Sequence, residues 1–291
     1  MASQKTCTTE VFQKVLEEFE NNQLIPKHER NEKNIKPVLK KAVEMDALLT
    51  SEITPMIDNQ NMETAEETIS AIIGPERANL IKKSNAMETY TMKVVDKPNG
   101  QVAVQISRNG SEFRPEIMLS TINDIEISIW LQWASVVIDV LFLLLACIGI
   151  KVSVSKDEMK ILVAELELRV QEPAFLKIRS EFLDAWKKAE GSLWEKAKAI
   201  GNFLKDGFLN GIYWEIFILI YKPIFGKMST TETITAILLC VVMIVLMIFI
   251  TEGLTASIAR ILLALYSAFS SNFAQKIANL DIFYAKKQGM I

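Results

Sequence analysis

Residues 233–251 run for nineteen positions without a charged side chain, and this run constrains the fold more than any other feature. As a helix it would reach about 28 Å, close to the roughly 30 Å of a bilayer core. A helix that is apolar all round belongs either in lipid or at the centre of a large core. A second stretch, residues 127–150, holds 24 residues with one charge, Asp139, and would reach about 36 Å. Both are membrane-spanning candidates. Two weaker apolar stretches flank the charge-free run. Residues 207–221 carry Glu215, and residues 253–275 carry Arg260, with Ile258, Leu262, Leu265, Phe269, Phe273 and Ile277 at helical spacing. Two to four spans fit, with two the firmest.

The charge pattern separates the chain into parts. Residues 1–126 hold 15 basic and 20 acidic side chains, whereas residues 207–291 hold ten charges altogether. Four regions are expected: an acidic, mostly soluble helical region with a β-hairpin (1–126), a hydrophobic helix (127–150), a long amphipathic connector (151–231), and a second hydrophobic helix followed by an amphipathic one (232–291). A net charge of −3 with no dense basic run leaves no footprint for nucleic acid. Three cysteines and one histidine, without CxxC or Cys/His clustering, suggest no zinc site and no closed disulfide framework.

The polar start lacks an apolar core, so no secretory signal peptide is expected. Lys151, Lys156 and Lys160 follow the first apolar stretch, against Arg108 and Arg114 before it. This bias would place the connector in the cytosol and the acidic region outside. With no signal peptide expected, either this weak bias is overruled or the chain inserts conditionally, outside the ordinary co-translational route.

Residues 8–21 read as a helix with Val11, Phe12, Val15, Leu16 and Phe19 on one stripe. A breaker-rich stretch runs to Pro37. Amphipathic patterns then cover 38–58 and 62–84, interrupted at Pro55 and Gly74-Pro75. From Tyr90 the period becomes two. Residues 90–95 and 101–106 read as strands joined across Pro98-Asn99-Gly100, a hairpin over about 90–107, and Asn109-Gly110 can turn a third short strand through Phe113.

In the connector, Ser155-Lys156-Asp157-Glu158 fits a capping box. From Phe175 to Phe208 apolar residues recur at spacings of 3, 4 and 4, a straight-helix period of 3.67. Unbroken from Ala174 to Lys205, that helix would be about 48 Å long. Trp186 and Trp194 lie among lysines, which suits either a bundle or a membrane interface. Gly207 and Gly211 have GxxxG spacing, which permits close helix approach in lipid.

No GxSxG, Walker A, GxGxxG or HExxH motif is present. No catalytic residue, cofactor or small-molecule substrate is expected. The functional candidates are the charges in apolar surroundings, Asp139 first, then Glu215, Glu252 and Arg260, with Trp186, Trp194, Gly207 and Gly211. Asp139 could pair with Arg260, line a pore, or mark a helix kept in a soluble core.

The expected fold is mainly α, a helical bundle with a small β-hairpin and two or more long hydrophobic helices. Its expected partners are a lipid bilayer and further copies of itself. Three functions compete: a resident integral membrane scaffold or channel-like protein, a soluble protein that inserts as a pore former does, and a soluble interaction bundle with a very apolar core. The layout resembles helical pore-forming proteins of the cytolysin A type. That resemblance concerns architecture, and no residue role is carried over from it.

Overall fold

The computed structural model describes residues 2–59, 61–83, 91–226, 228–266 and 269–289. Their order is α1 (Ala2–Asn22), α2 (Glu32–Asp58), α3 (Met62–Ile73), α4 (Pro75–Lys82), β1 (Thr91–Asp96), β2 (Val102–Arg108), β3 (Ser111–Met118), α5 (Ile122–Cys147), α6 (Lys156–Arg169), α7 (Pro173–Lys188), α8 (Leu193–Leu209), α9 (Ile212–Phe225), α10 (Thr230–Phe249), α11 (Thr251–Leu265) and α12 (Phe269–Lys287). The chain is therefore mainly α with one small antiparallel sheet. Helices α5 and α10 are long and apolar enough to cross a membrane.

Helix α5 starts five residues before the apolar stretch does, because Thr121 and Asp124 close a capping box. The Thr121 hydroxyl accepts from the Asp124 amide at 3.2 Å, and the Asp124 carboxylate accepts from the Thr121 amide at 2.9 Å. The reciprocal bonds satisfy donors that the first turn leaves open. At the other end Gly149, at φ +89°, carries the chain out of the helix. Ser155 with Glu158 and Ser229 with Glu232 cap α6 and α10 in the same way. Helix α2 begins before Pro37 and passes through both Pro37 and Pro55, with Asn31 as its cap. The breaker stretch is thus shorter than its composition suggests.

The sheet has order β1-β2-β3, with Val94 opposite Val104 and Ile106 opposite Arg114. The second turn places both Asn109 (φ +49°) and Gly110 (φ +74°) in the left-handed region, as a type I′ hairpin requires. The third strand extends through Met118, beyond the expected Phe113. Met92, Val104, Ile106 and Phe113 face inward. The Asn279 amide of α12 donates to the Met92 carbonyl at 3.0 Å, tying the sheet to the last helix.

The connector is not one long rod. The chain turns at Ala189–Ser192, where Glu190 takes φ +43°, and α7 and α8 fold against each other. The regular stripe is nonetheless what each half buries: Phe175, Ile178, Phe182 and Trp186 on α7, then Ala197, Ile200, Leu204 and Phe208 on α8. The stripe stays in phase across the break.

Two helices occupy the centre and touch each other. Helix α5 is contacted by α4, α6, α8, α11, α12 and β3, and from Leu131 to Cys147 every residue is buried. Its Trp133 ring meets Phe175 (centroids 5.7 Å apart) and Phe203 (6.0 Å) edge-on or tilted, anchoring α7 and α8 to it. Helix α11 is buried from Ala256 to Leu265 among α2, α3, α4, α8 and α10. The step from α10 to α11 is tight. A Cβ on Gly253 would lie 2.5 Å from the Leu246 carbonyl oxygen, so only glycine fits there. The covering helices turn charge outward: Lys177, Glu181, Asp184, Lys187 and Lys188 on α7 are all exposed.

Candidate functional site: a polar line on a buried apolar helix

Four polar side chains interrupt the apolar surface of buried α5: Ser128, Gln132, Ser135 and Asp139, each fully buried. Their spacing of 4, 3 and 4 puts them within a sector of about 60° and along about 16 Å of helix. They form one continuous polar line on an otherwise hydrophobic rod.

The line is incompletely satisfied. Ser128 donates to the Asp124 carbonyl at 2.9 Å, within its own helix. One Asp139 oxygen accepts from the Lys276 ammonium of α12 at 2.6 Å. Among the described residues, the other Asp139 oxygen, the Ser135 hydroxyl and both ends of the Gln132 amide have no hydrogen-bond partner. A buried polar group left unpaired costs about 1–3 kcal/mol, so this line is expensive in the folded state.

Helix α12 clasps α5 in antiparallel register. Glu126 pairs with Lys287 at 2.6 Å, Trp133 Nε1 donates to the Tyr284 hydroxyl at 3.0 Å, and Asp139 pairs with Lys276. Burial pushes Lys276 below its ordinary range, against the pull of the Asp139 carboxylate.

Asp139 does not pair with Arg260. Arg260, 1 % exposed on α11, binds Asp46 of α2 instead, with Nη2 2.6 Å from Oδ1. Burial raises the Asp46 carboxyl, while Arg260 opposes the shift. Two separate buried ion pairs thus stitch the centre, α5 to α12 and α11 to α2. Breaking such a pair from one side strands a charge and costs about 3–5 kcal/mol.

The other sequence candidates are scattered. Glu215 is exposed and pairs with Arg169 at 2.7 Å, joining α9 to α6. Glu252 lies at the start of α11, with its side chain outside the described residues. Trp186 is buried against Phe182 and Phe273, and Lys196 lies over its ring. Trp194 is partly buried against the core. Gly207 and Gly211 do not share a helix. Gly207 admits the Tyr213 ring against α8, while Gly211, at φ +77°, forms the turn into α9. Among the described residues, no hydrogen bond or ion pair joins Glu215, Trp186, Trp194, Gly207 or Gly211 to Asp139, whose partner is Lys276.

Gln132 and Ser135 were missed in the sequence, although their spacing from Asp139 was legible. Lys276 and Asp46 were missed because nothing local marks them as partners. Among the described residues no group of His, Cys, Asp or Glu is arranged to hold a metal ion. Compared with protein-family models, curated proteins and solved structures, the chain matches none.

Proposed function

We propose that this chain is a non-enzymatic α-helical pore former, folded first as a water-exposed bundle and later inserted into a lipid bilayer with α5 lining the opening. The observation that carries this reading is the unpaired polar line on α5. A helix that only filled a core would gain stability by replacing Gln132 and Ser135 with apolar residues. In an inserted assembly the same line can face water, with the rest of the helix against lipid or neighbouring helices. Two further observations support the order of events. The long apolar helix α5 has no face left for lipid in this fold, and the helices that cover it carry charge outward. Helix α10 would provide the second span.

Asp139 sits at one end of the polar line, so an assembly of several copies would carry a ring of carboxylates. Such a ring favours cations. The test uses protein purified without detergent and liposomes loaded with a self-quenching dye. The expected result is a soluble monomer that releases the dye and, in planar bilayers under a potassium chloride gradient, a reversal potential on the cation side. Asp139→Asn should move that potential toward zero in the channels that still open. Carbonate-resistant pelleting of the protein straight from cells would overturn this reading in favour of a resident membrane protein. A soluble, liposome-inert protein would overturn it in favour of an interaction bundle.

A further inference from the structure

A cavity of about 230 Å³ lies where α2, α4, α10 and α11 meet the C-terminal end of α5. Arg260 forms part of its wall, as do Arg77 and Lys41, and among the described residues no acidic side chain lines it. Arg260 is almost fully buried yet, among the described residues, uses only Nη2, on Asp46; its Nε and Nη1 have no partner there. Arg77 is partly buried and meets a soft acceptor, the Met45 sulfur, at 3.5 Å, with no ion pair among the described residues. The two guanidiniums feel each other: the charge on Arg260 adds to burial in pulling Arg77 below its ordinary range. Lys41 is exposed.

Asp46 balances Arg260, and Arg77 adds a second, half-buried guanidinium with no ion pair among the described residues. Leaving a charge uncompensated inside a protein is costly, and an anion that accepts from spare guanidinium donors relieves the cost. Apart from Thr235, the remaining wall is largely apolar, from Val38, Ala42 and Met45 on α2 and Leu239 and Met243 on α10. At about 30 Å³ per water, the space suffices for an oxyanion of four or five heavy atoms with the first carbons of a chain.

We propose that this cavity is an oxyanion site, taking a phosphate or carboxylate, free or carried on an acyl chain, between the guanidiniums of Arg260 and Arg77. The inference rests on the folded chain alone and is independent of pore formation. It is tested by calorimetric titration in phosphate-free buffer with inorganic phosphate and, separately, with octyl phosphate below its micelle concentration. One site per chain is expected, with at least tenfold loss of affinity in both Arg77→Gln and Arg260→Lys. The lysine keeps a cation opposite Asp46 and removes the spare donors. Arg77→Gln removes no ion pair, so thermal melts should show its fold intact. Tenfold tighter binding of octyl phosphate than of phosphate would assign an amphiphile, and equal binding a free ion. If wild-type protein binds neither probe, or if Arg77→Gln binds as wild type does, the proposal is overturned.

Discussion

Replacing Gln132 by methionine should make the folded protein more stable, which is unusual for a change in the middle of a core. Methionine keeps the length and flexibility of the glutamine side chain but carries no amide. Gln132 is fully buried, and among the described residues neither its Nε2 nor its Oε1 has a partner. The substitution therefore removes an uncompensated desolvation cost of about 1–3 kcal/mol and loses no hydrogen bond. For a chain of 291 residues, an unfolding entropy of about 2.1 cal/mol/K per residue converts this into a rise in Tm of about 2–5 °C. Urea unfolding should show a higher midpoint at unchanged slope, because the surface exposed on unfolding is nearly the same. On the proposed pore-forming reading, the same variant should also release dye from liposomes more slowly, because a more stable bundle would open less readily and an inserted α5 would have lost part of its polar line. A drop of 1 kcal/mol or more in stability would refute the reasoning. It would mean that the amide is satisfied in the folded state and that the polar line needs no second environment to explain it.

Other expectations concern the stitching of the centre. Asp139→Leu alone should cost about 3–5 kcal/mol by stranding the Lys276 charge, whereas Asp139→Leu combined with Lys276→Met should recover most of the loss in a double-mutant cycle of urea unfolding. Gly253→Ala places a Cβ 2.5 Å from the Leu246 carbonyl oxygen and should cost about 3 kcal/mol or more by forcing α10 and α11 apart; a loss below 1 kcal/mol would show that the hairpin yields. Asp46 has its carboxyl raised by burial. A carboxyl that binds its proton more tightly when folded adds stability in acid, and this is lost as pH rises from the ordinary value of about 3.9 through the native one. Asp46→Asn abolishes that loss, so urea midpoints of the variant should climb relative to wild type between pH 3 and 7. A relative fall would show that folding lowers the Asp46 pKa instead.

Much of the fold was legible because it rests on local signals. The two apolar helices, the Ser155–Glu158 cap and the strands around residues 90–107 follow from residues close in sequence. The turn at Glu190 was not legible, because the stripe from Phe175 to Phe208 keeps its phase through it, and periodicity alone cannot distinguish a bent path from a straight one. The candidate site was half legible. Asp139 is conspicuous, but its alignment with Ser128, Gln132 and Ser135 is visible only once the segment is treated as a helix with faces. Its partner was beyond reach, since Asp139 and Lys276 stand 137 residues apart, and Asp46 and Arg260 stand 214 apart. Which lysine or arginine meets which carboxylate is decided by how the helices pack.

The α5–α12 clasp also sets a timetable for synthesis. At about 5–20 residues per second, the 137 residues between Asp139 and Lys276 take roughly 7–27 s to translate. Throughout that interval α5 lacks the helix that finally clasps it. Helix–coil relaxation takes about a microsecond, so α5 forms its backbone structure long before it can be enclosed. Each new chain therefore presents a bilayer-length hydrophobic helix to chaperones and membranes alike, and the speed of elongation decides how long that choice stays open.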